Sequence, residues 1–167
     1  MSSPQQNRGA LERQVMEVLR ESSGLGVLFS QAIADRVGMN PTDLETLDVL
    51  IRSGPMTAGQ LAARTGLTTG AITGLIDRLE RRGYARRERH PTDRRSVLVR
   101  PLIDAAERDL LPAYAGMSAS SAALLDTYSD DDLVVILDFV TRAAAMTVEQ
   151  IARLREETAR REVSKPA

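Results

Sequence analysis

Cysteine is absent from this 167-residue chain, and histidine occurs once, at His90. Without cysteine there is no disulfide framework, no thiolate zinc site and no thiol redox switch. One histidine, set before Pro91, supplies no Cys–His or Ser–His–Asp constellation. No glycine-rich phosphate loop follows a strand pattern. Tryptophan is missing too, and aromatic residues make up only 3% of the chain. The core must therefore be built from Leu, Val, Ile and Ala, which favours packed helices over a β-sandwich. No apolar run approaches the roughly 18 residues of a membrane span. The opening MSSPQQNRGALERQ has no apolar segment of the kind a secretory signal needs. These absences lead us to expect a cytoplasmic protein that is not an enzyme, has no cofactor or metal, and has no membrane partner. Asp130-Asp131-Asp132 is read as a set of helix-start carboxylates rather than a metal site.

Lysine is nearly absent as well. Of 22 basic residues all but Lys165 are arginine, and the formal net charge is −1. The distribution of charge matters more than its sum. Between Arg78 and Arg100 stand nine arginines against three acids, whereas Asp126, Asp130, Asp131, Asp132 and Asp138 lie in another stretch. One region is built to meet phosphate and another to avoid it. The balance of 43% apolar and 27% charged residues is that of a folded globular chain.

Helical periodicity dominates the pattern. Leu11, Val15, Val18 and Leu19 open a first helical stretch over about residues 10–37, extended by Val27, Leu28, Ala32 and Ile33. Gly24 and Gly26 predict a bend, or the close approach of another helix, in its middle. Asn40-Pro41 is a helix start, with Leu44, Leu47, Val49, Leu50 and Ile51 on the buried face and Ser53-Gly54-Pro55 as the stop. Thr57 and Gln60 form a capping box, and Gly66 ends the short helix that follows. Thr68 caps a helix to about Arg82 whose Ile72, Leu75, Ile76 and Leu79 make one core stripe. Tyr84 to Arg89 and Ser96 to Leu102 read as two strands joined by His90-Pro91-Thr92-Asp93-Arg94-Arg95. Two further helices are expected. The first runs from Ile103 to Tyr128 and is bent at Pro112 and Gly116; the second starts after a Ser129 cap. The apolar stripe of the second, from Leu133 to Leu154, calls for a partner helix on a second copy.

The stretch from Thr57 to Arg100 carries the chemistry. A helix that reads DNA needs an apolar face to seat it and a small polar face to approach base edges. Opposite the Ile72–Leu79 stripe lie Thr69, Gly70, Thr73, Gly74 and Asp77. The threonines offer hydroxyls and methyls to phosphates and bases. Two glycines inside a helix cost about 1 kcal/mol each against alanine, so closeness to DNA or to a neighbouring helix must account for them. In the hairpin tip Arg94 and Arg95 can enter a narrow minor groove, and Asp93 can orient a guanidinium there.

The segments LAARTGLTTGAITGLIDRLERRGYARR and HPTDRRSVLVR resemble the MarR-type winged helix-turn-helix transcription regulators, over about Leu11 to Leu154. The resemblance implies a mainly α fold with a small antiparallel β wing. Its parts are an N-terminal dimerisation helix (10–38), a winged helix-turn-helix domain (40–102), C-terminal dimerisation helices (103–160) and a disordered tail (161–167). It implies a homodimer that binds double-stranded DNA at a pseudo-palindromic operator, in the role of a repressor associated with the nucleoid. The DNA-binding residues it points to are Thr57, Thr68, Thr69, Gly70, Thr73, Arg78, Arg94 and Arg95, with Asp93 orienting Arg95. It also implies a small organic effector between the dimerisation helices and the winged domain, for which Phe29, Met39, Tyr114 and Met117 are the candidate contacts. The chain departs from the family pattern after the wing, at Arg100-Pro101-Leu102, where Pro101 removes a ladder donor. The rival readings are a winged-helix protein-interaction module and an architectural DNA binder without sequence preference.

Overall fold

The computed structural model describes residues 4–92 and 96–163. It divides into two compact units, one reaching to Gly116 and the other beginning at Met117. In the first unit, α1 (Pro4–Arg36) leads to α2 (Pro41–Ser53), β1 (Met56–Thr57), α3 (Ala58–Thr65) and α4 (Thr69–Arg81). Strands β2 (Ala85–Arg89) and β3 (Val97–Pro101) and helix α5 (Ile103–Leu125) follow, and α5 runs on into the second unit.

Local chemistry sets most of these boundaries. Asn40 caps α2 by accepting the Thr42 N–H at 2.9 Å, and Pro41 occupies the first helical position. At α3 the capping box is complete: Gln60 N–H donates to Thr57 Oγ1 at 3.2 Å, and Thr57 N–H donates to Gln60 Oε1 at 2.8 Å. Gly66 ends α3 in the left-handed region at φ 76°. Helix α4 closes with Gly83 at φ 74°, where Tyr84 N–H reaches Leu79 O at 2.9 Å and Gly83 N–H reaches Glu80 O at 2.9 Å. This paired closure satisfies two orphan carbonyls and turns the chain straight into β2.

The core of the first unit lies where α2, α3 and α4 converge on the small sheet. Leu47, Leu50, Leu61, Ile72 and Leu79 are wholly inaccessible to solvent. The sheet has three strands in the order β1-β3-β2, all antiparallel. Sequence periodicity pointed to two strands. The third, Met56–Thr57, pairs Met56 with Val99 and Thr57 with Leu98, and at two residues it is too short to show an alternation. Pro101 is the last residue of β3, opposite Ala85, so its missing N–H falls at the end of the ladder.

The expected tail needs correction, and the glycines and proline of α1 and α5 interrupt neither helix. Helix α1 runs unbroken through Gly24 and Gly26, and a Cβ on either glycine would meet nothing within 4 Å. Helix α5 likewise continues through Pro112 and Gly116. Helix α6 (Asp130–Val163) runs past residue 160, so residues 161–163 of the expected tail are helical; residues 164–167 lie outside the described residues. In the second unit Ser129 caps α6 as expected. Its Oγ accepts the Asp132 N–H at 3.2 Å, and Ser129 N–H donates to Asp132 Oδ2 at 3.2 Å. The Ser129 hydroxyl, donating to Asp132 Oδ2 at 2.5 Å, and then the Ser129 N–H hold the Asp132 carboxyl below its ordinary pKa.

Candidate nucleic-acid interface

Helix α4 is buried along Ile72, Leu75, Ile76 and Leu79. With that face committed to the core, Thr68, Thr69, Gly70, Ala71 and Thr73 stand exposed at its N-terminal end. The hydroxyls there are already organised. Thr68 Oγ1 accepts the Ala71 N–H at 3.3 Å as the cap, and Thr73 Oγ1 donates to Thr69 O at 3.0 Å. Thr57, half-buried, spends its hydroxyl on the α3 cap. The exposed first turn of α4 also presents a helix N-terminal dipole to solvent, a setting favourable to phosphate.

The two glycines of α4 divide the readings set out above. A Cβ on Gly70 would meet nothing within 4 Å, and one on Gly74 would meet only Arg78 Nη1, at 3.6 Å. Neither glycine is there to let a neighbouring helix pack closely. The unit leaves open space over this face.

The arginines are less available than their number implies. Asp93, Arg94 and Arg95 lie outside the described residues. Of the other seven in the Arg78–Arg100 stretch, six are engaged by groups of the fold, Arg81 only by the Asp77 carbonyl of its own helix. Arg78, expected at DNA, closes its fork on the buried carboxylate of Asp43, with Nε to Oδ2 and Nη2 to Oδ1 both at 2.7 Å. That bond raises the pKa of Arg78 further. Arg82 donates to the carbonyls of Val37 and Gly38 in the α1–α2 loop. Arg87 reaches back from β2 to α4, pairing with Glu80 and, at 2.7 Å, with Asp77. Burial works against its charge, but the two carboxylates outweigh that cost and raise its pKa.

On the other face of the wing, Arg86 and Arg100 are directly opposed across the strands, a like-charge pair that by itself destabilises a sheet. Glu88 neutralises it by accepting from Arg100 Nε at 2.8 Å and by standing 3.7 Å from Arg86. The bond from Arg100 holds the Glu88 carboxyl below its ordinary range. At the root of the wing Tyr84 OH donates to Asp109 of α5 at 3.3 Å. Burial, then the Asp109 charge, pushes the phenol above its ordinary value. Asp43 was not singled out in the sequence; Asp77 was placed on the exposed face of α4, and Glu80 and Arg87 were only counted in the basic stretch. Acids inside a basic stretch were the available signal, but their partners are set by folding.

The residues expected around an effector separate. Met39 is buried in the core of the first unit, against which Phe29 and Tyr114 pack with their rings 5.8 Å apart, edge to face. Burial, helped by the charge of Asp48, raises the Tyr114 phenol. Met117 belongs to the second unit and is 49% exposed.

Replacing Gly70 with Ala should stabilise the protein by up to about 1 kcal/mol, since helix propensity improves and nothing stands in the way. Urea unfolding followed by circular dichroism measures this; a lowered midpoint would reveal a contact at that face.

Residues 37–96 match the MarR family pattern. Across 154 residues the chain is 40% identical to the HTH-type transcriptional regulator YcgE of Bacillus subtilis (strain 168), covering 92% of this chain and 99% of that protein. Among solved structures, a MarR family protein from Bacillus stearothermophilus superposes with a TM-score of 0.61 at 21% identity, covering 88% of this chain and 99% of that one. Streptococcus pneumoniae FabT, solved in complex with DNA, gives a TM-score of 0.59 at 20% identity, covering 83% and 99%. The 40% identity to YcgE over nearly both whole chains carries the assignment, the structural likenesses confirm the winged-helix fold, and the chain belongs to the MarR family of transcription regulators.

Proposed function

We propose that this regulator binds double-stranded DNA as a homodimer and reads a pseudo-palindromic operator. The observation that carries the reading is the N-terminal end of α4, where Thr69, Gly70 and Thr73 are exposed on a helix whose opposite face is fully buried. A rigidly seated helix with a small, polar, uncovered face can lie deep in a major groove, with hydroxyls and methyls against base edges. Binding of DNA by FabT supports the same use of the fold here. Thr57 and Thr68 sit at helix N-termini suited to phosphates, and Arg94 and Arg95 extend the contact into the minor groove, with Asp93 orienting Arg95. Occupying a promoter in this way blocks polymerase, which makes repression the output.

The dimer is supported by apolar surface with no intramolecular cover. Leu11 and Val18 of α1 are 60% and 53% exposed, and Val148 and Leu154 of α6 are 67% and 61% exposed. Exposed apolar residues recurring along each helix mark an interface, each such side chain contributing about 1.5–3 kcal/mol when buried. Two recognition helices on one dimer read half-sites about 10 base pairs apart. Within the first unit, Phe29 and Tyr114, packed against the core that holds Met39, offer an apolar, aromatic setting for a small organic effector.

Three measurements test this reading. Selection of bound duplexes from a random library should enrich an inverted repeat. Arg95→Ala should relax that preference and weaken binding by about 1–3 kcal/mol, and Gly70→Ala should weaken it while raising stability. Binding without a motif would leave an architectural protein, and no binding at low salt an interaction module. Placing Asp at both Val148 and Ile151 should yield a monomer by light scattering; an unchanged mass would remove α6 from the interface. Finally, an organic acid acting as effector should raise the melting temperature and release the operator, and a broad panel without effect on either would reject that part.

A further inference from the structure

The Asp43–Arg78 pair is more than a surface ion pair. Asp43 lies in the first turn of α2, and its side chain is 6% exposed. Each of its two oxygens accepts one hydrogen bond from the same guanidinium, both at 2.7 Å, across 35 residues of sequence. Among the described residues Arg78 is the only cation paired with it. Arg78 Nη1 lies over position 74, 3.6 Å from where a Cβ would stand, so the guanidinium lies back along α4 toward its reading end.

Apolar contact alone does not dictate the seat of a helix. Burial of Ile72, Leu75, Ile76 and Leu79 is non-directional and tolerates small rotations and slides. A bidentate fork fixes distance and angle together. On the opposite flank Arg87 ties α4 to β2 through Asp77 and Glu80, so the helix is held from two sides by directional bonds. The Asp43 bond is the buried one of the two.

We propose that Asp43 and Arg78 form a positioning pair for DNA reading. Their fork sets the orientation of α4, and with it the placement of Thr69, Gly70 and Thr73 against the bases, while Arg78 itself contacts no phosphate. This role rests on the DNA-binding reading given above. It differs from a direct contact in what charge does: a phosphate contact survives replacement by Lys, whereas a fork does not.

The test uses the full-length chain and the operator selected by the wild type. Affinity is measured across a salt series for Arg78→Lys, Arg78→Gln, Asp43→Asn and the Asp43→Asn/Arg78→Gln double variant, with circular dichroism and melting temperature alongside. Each single variant is expected to bind about tenfold more weakly, and the double variant no more weakly than either, because residues of one network are non-additive. The salt dependence should keep its wild-type slope throughout. A slope reduced by about one in Arg78→Gln, with Arg78→Lys close to wild type, would make Arg78 a phosphate contact and overturn the proposal. Lower melting temperatures with unchanged operator affinity would reduce the pair to a stabilising one and overturn it equally. If Asp43→Asn does not fold, Arg78→Lys decides the matter, since it leaves a cation beside the buried carboxylate. A wild-type chain that retains no duplex at low salt overturns the DNA reading itself, and the positioning role with it; a wild type that selects an operator separates the two.

Discussion

Burial of Ile72, Leu75, Ile76 and Leu79 on one side of α4 is the constraint from which the interface follows. These four side chains are almost completely removed from water, and together they commit one face of a thirteen-residue helix to the core. The opposite face then has no choice but to look outward, and in this sequence it is composed of small polar residues. Capping sharpens the result. Thr68 at one end and the Gly83–Tyr84 closure at the other stop the helix cleanly, so the first turn is available to a ligand and the last feeds straight into the wing.

Charge is used in this unit mainly to hold elements together. Arginines that look like a phosphate-binding surface in the sequence are divided between α2, the α1–α2 loop, α4 and the partner wing strand. The carboxylates Asp43, Asp77, Glu80 and Glu88, and for Arg82 the carbonyls of Val37 and Gly38, receive them. The arrangement reconciles a net charge of −1 with a DNA-binding fold: the acids are not idle neutralisers but partners that give direction to guanidinium groups. It also narrows the set of cations free to meet phosphate, which raises the importance of each one remaining.

The long helices follow a different logic. In α1 and α6 the apolar residues recur at helical spacing yet remain in contact with solvent, for example Val15 and Met16 in α1 and Val148 and Ile151 in α6. A helix of 34 residues stabilised only by exposed i,i+4 ion pairs such as Asp138–Arg142 would be marginal, because such pairs contribute a few tenths of a kcal/mol at most. In the homodimer proposed above a second chain supplies the missing surface, and the stability of these helices and the association of two copies become one property.

Much of this was legible in the linear chain because it depends on residues close in sequence. The Asn40-Pro41 start, the Thr57–Gln60 box, the left-handed Gly66, the Thr68 cap and the four-residue stripe of α4 are all decided within a turn or two of helix, where sequence spacing and spatial spacing coincide. What the tertiary structure alone decided was anything joining distant residues. The two-residue strand at Met56 exists only because β3 comes alongside it. The glycines of α1 and α4 could be judged only once the space beside them was known. Most of all, whether Arg78 faces DNA or Asp43 depends on 35 residues of intervening chain returning α4 to the first turn of α2. A guanidinium pairs with the nearest carboxylate in space, and distance in space is what a sequence does not carry.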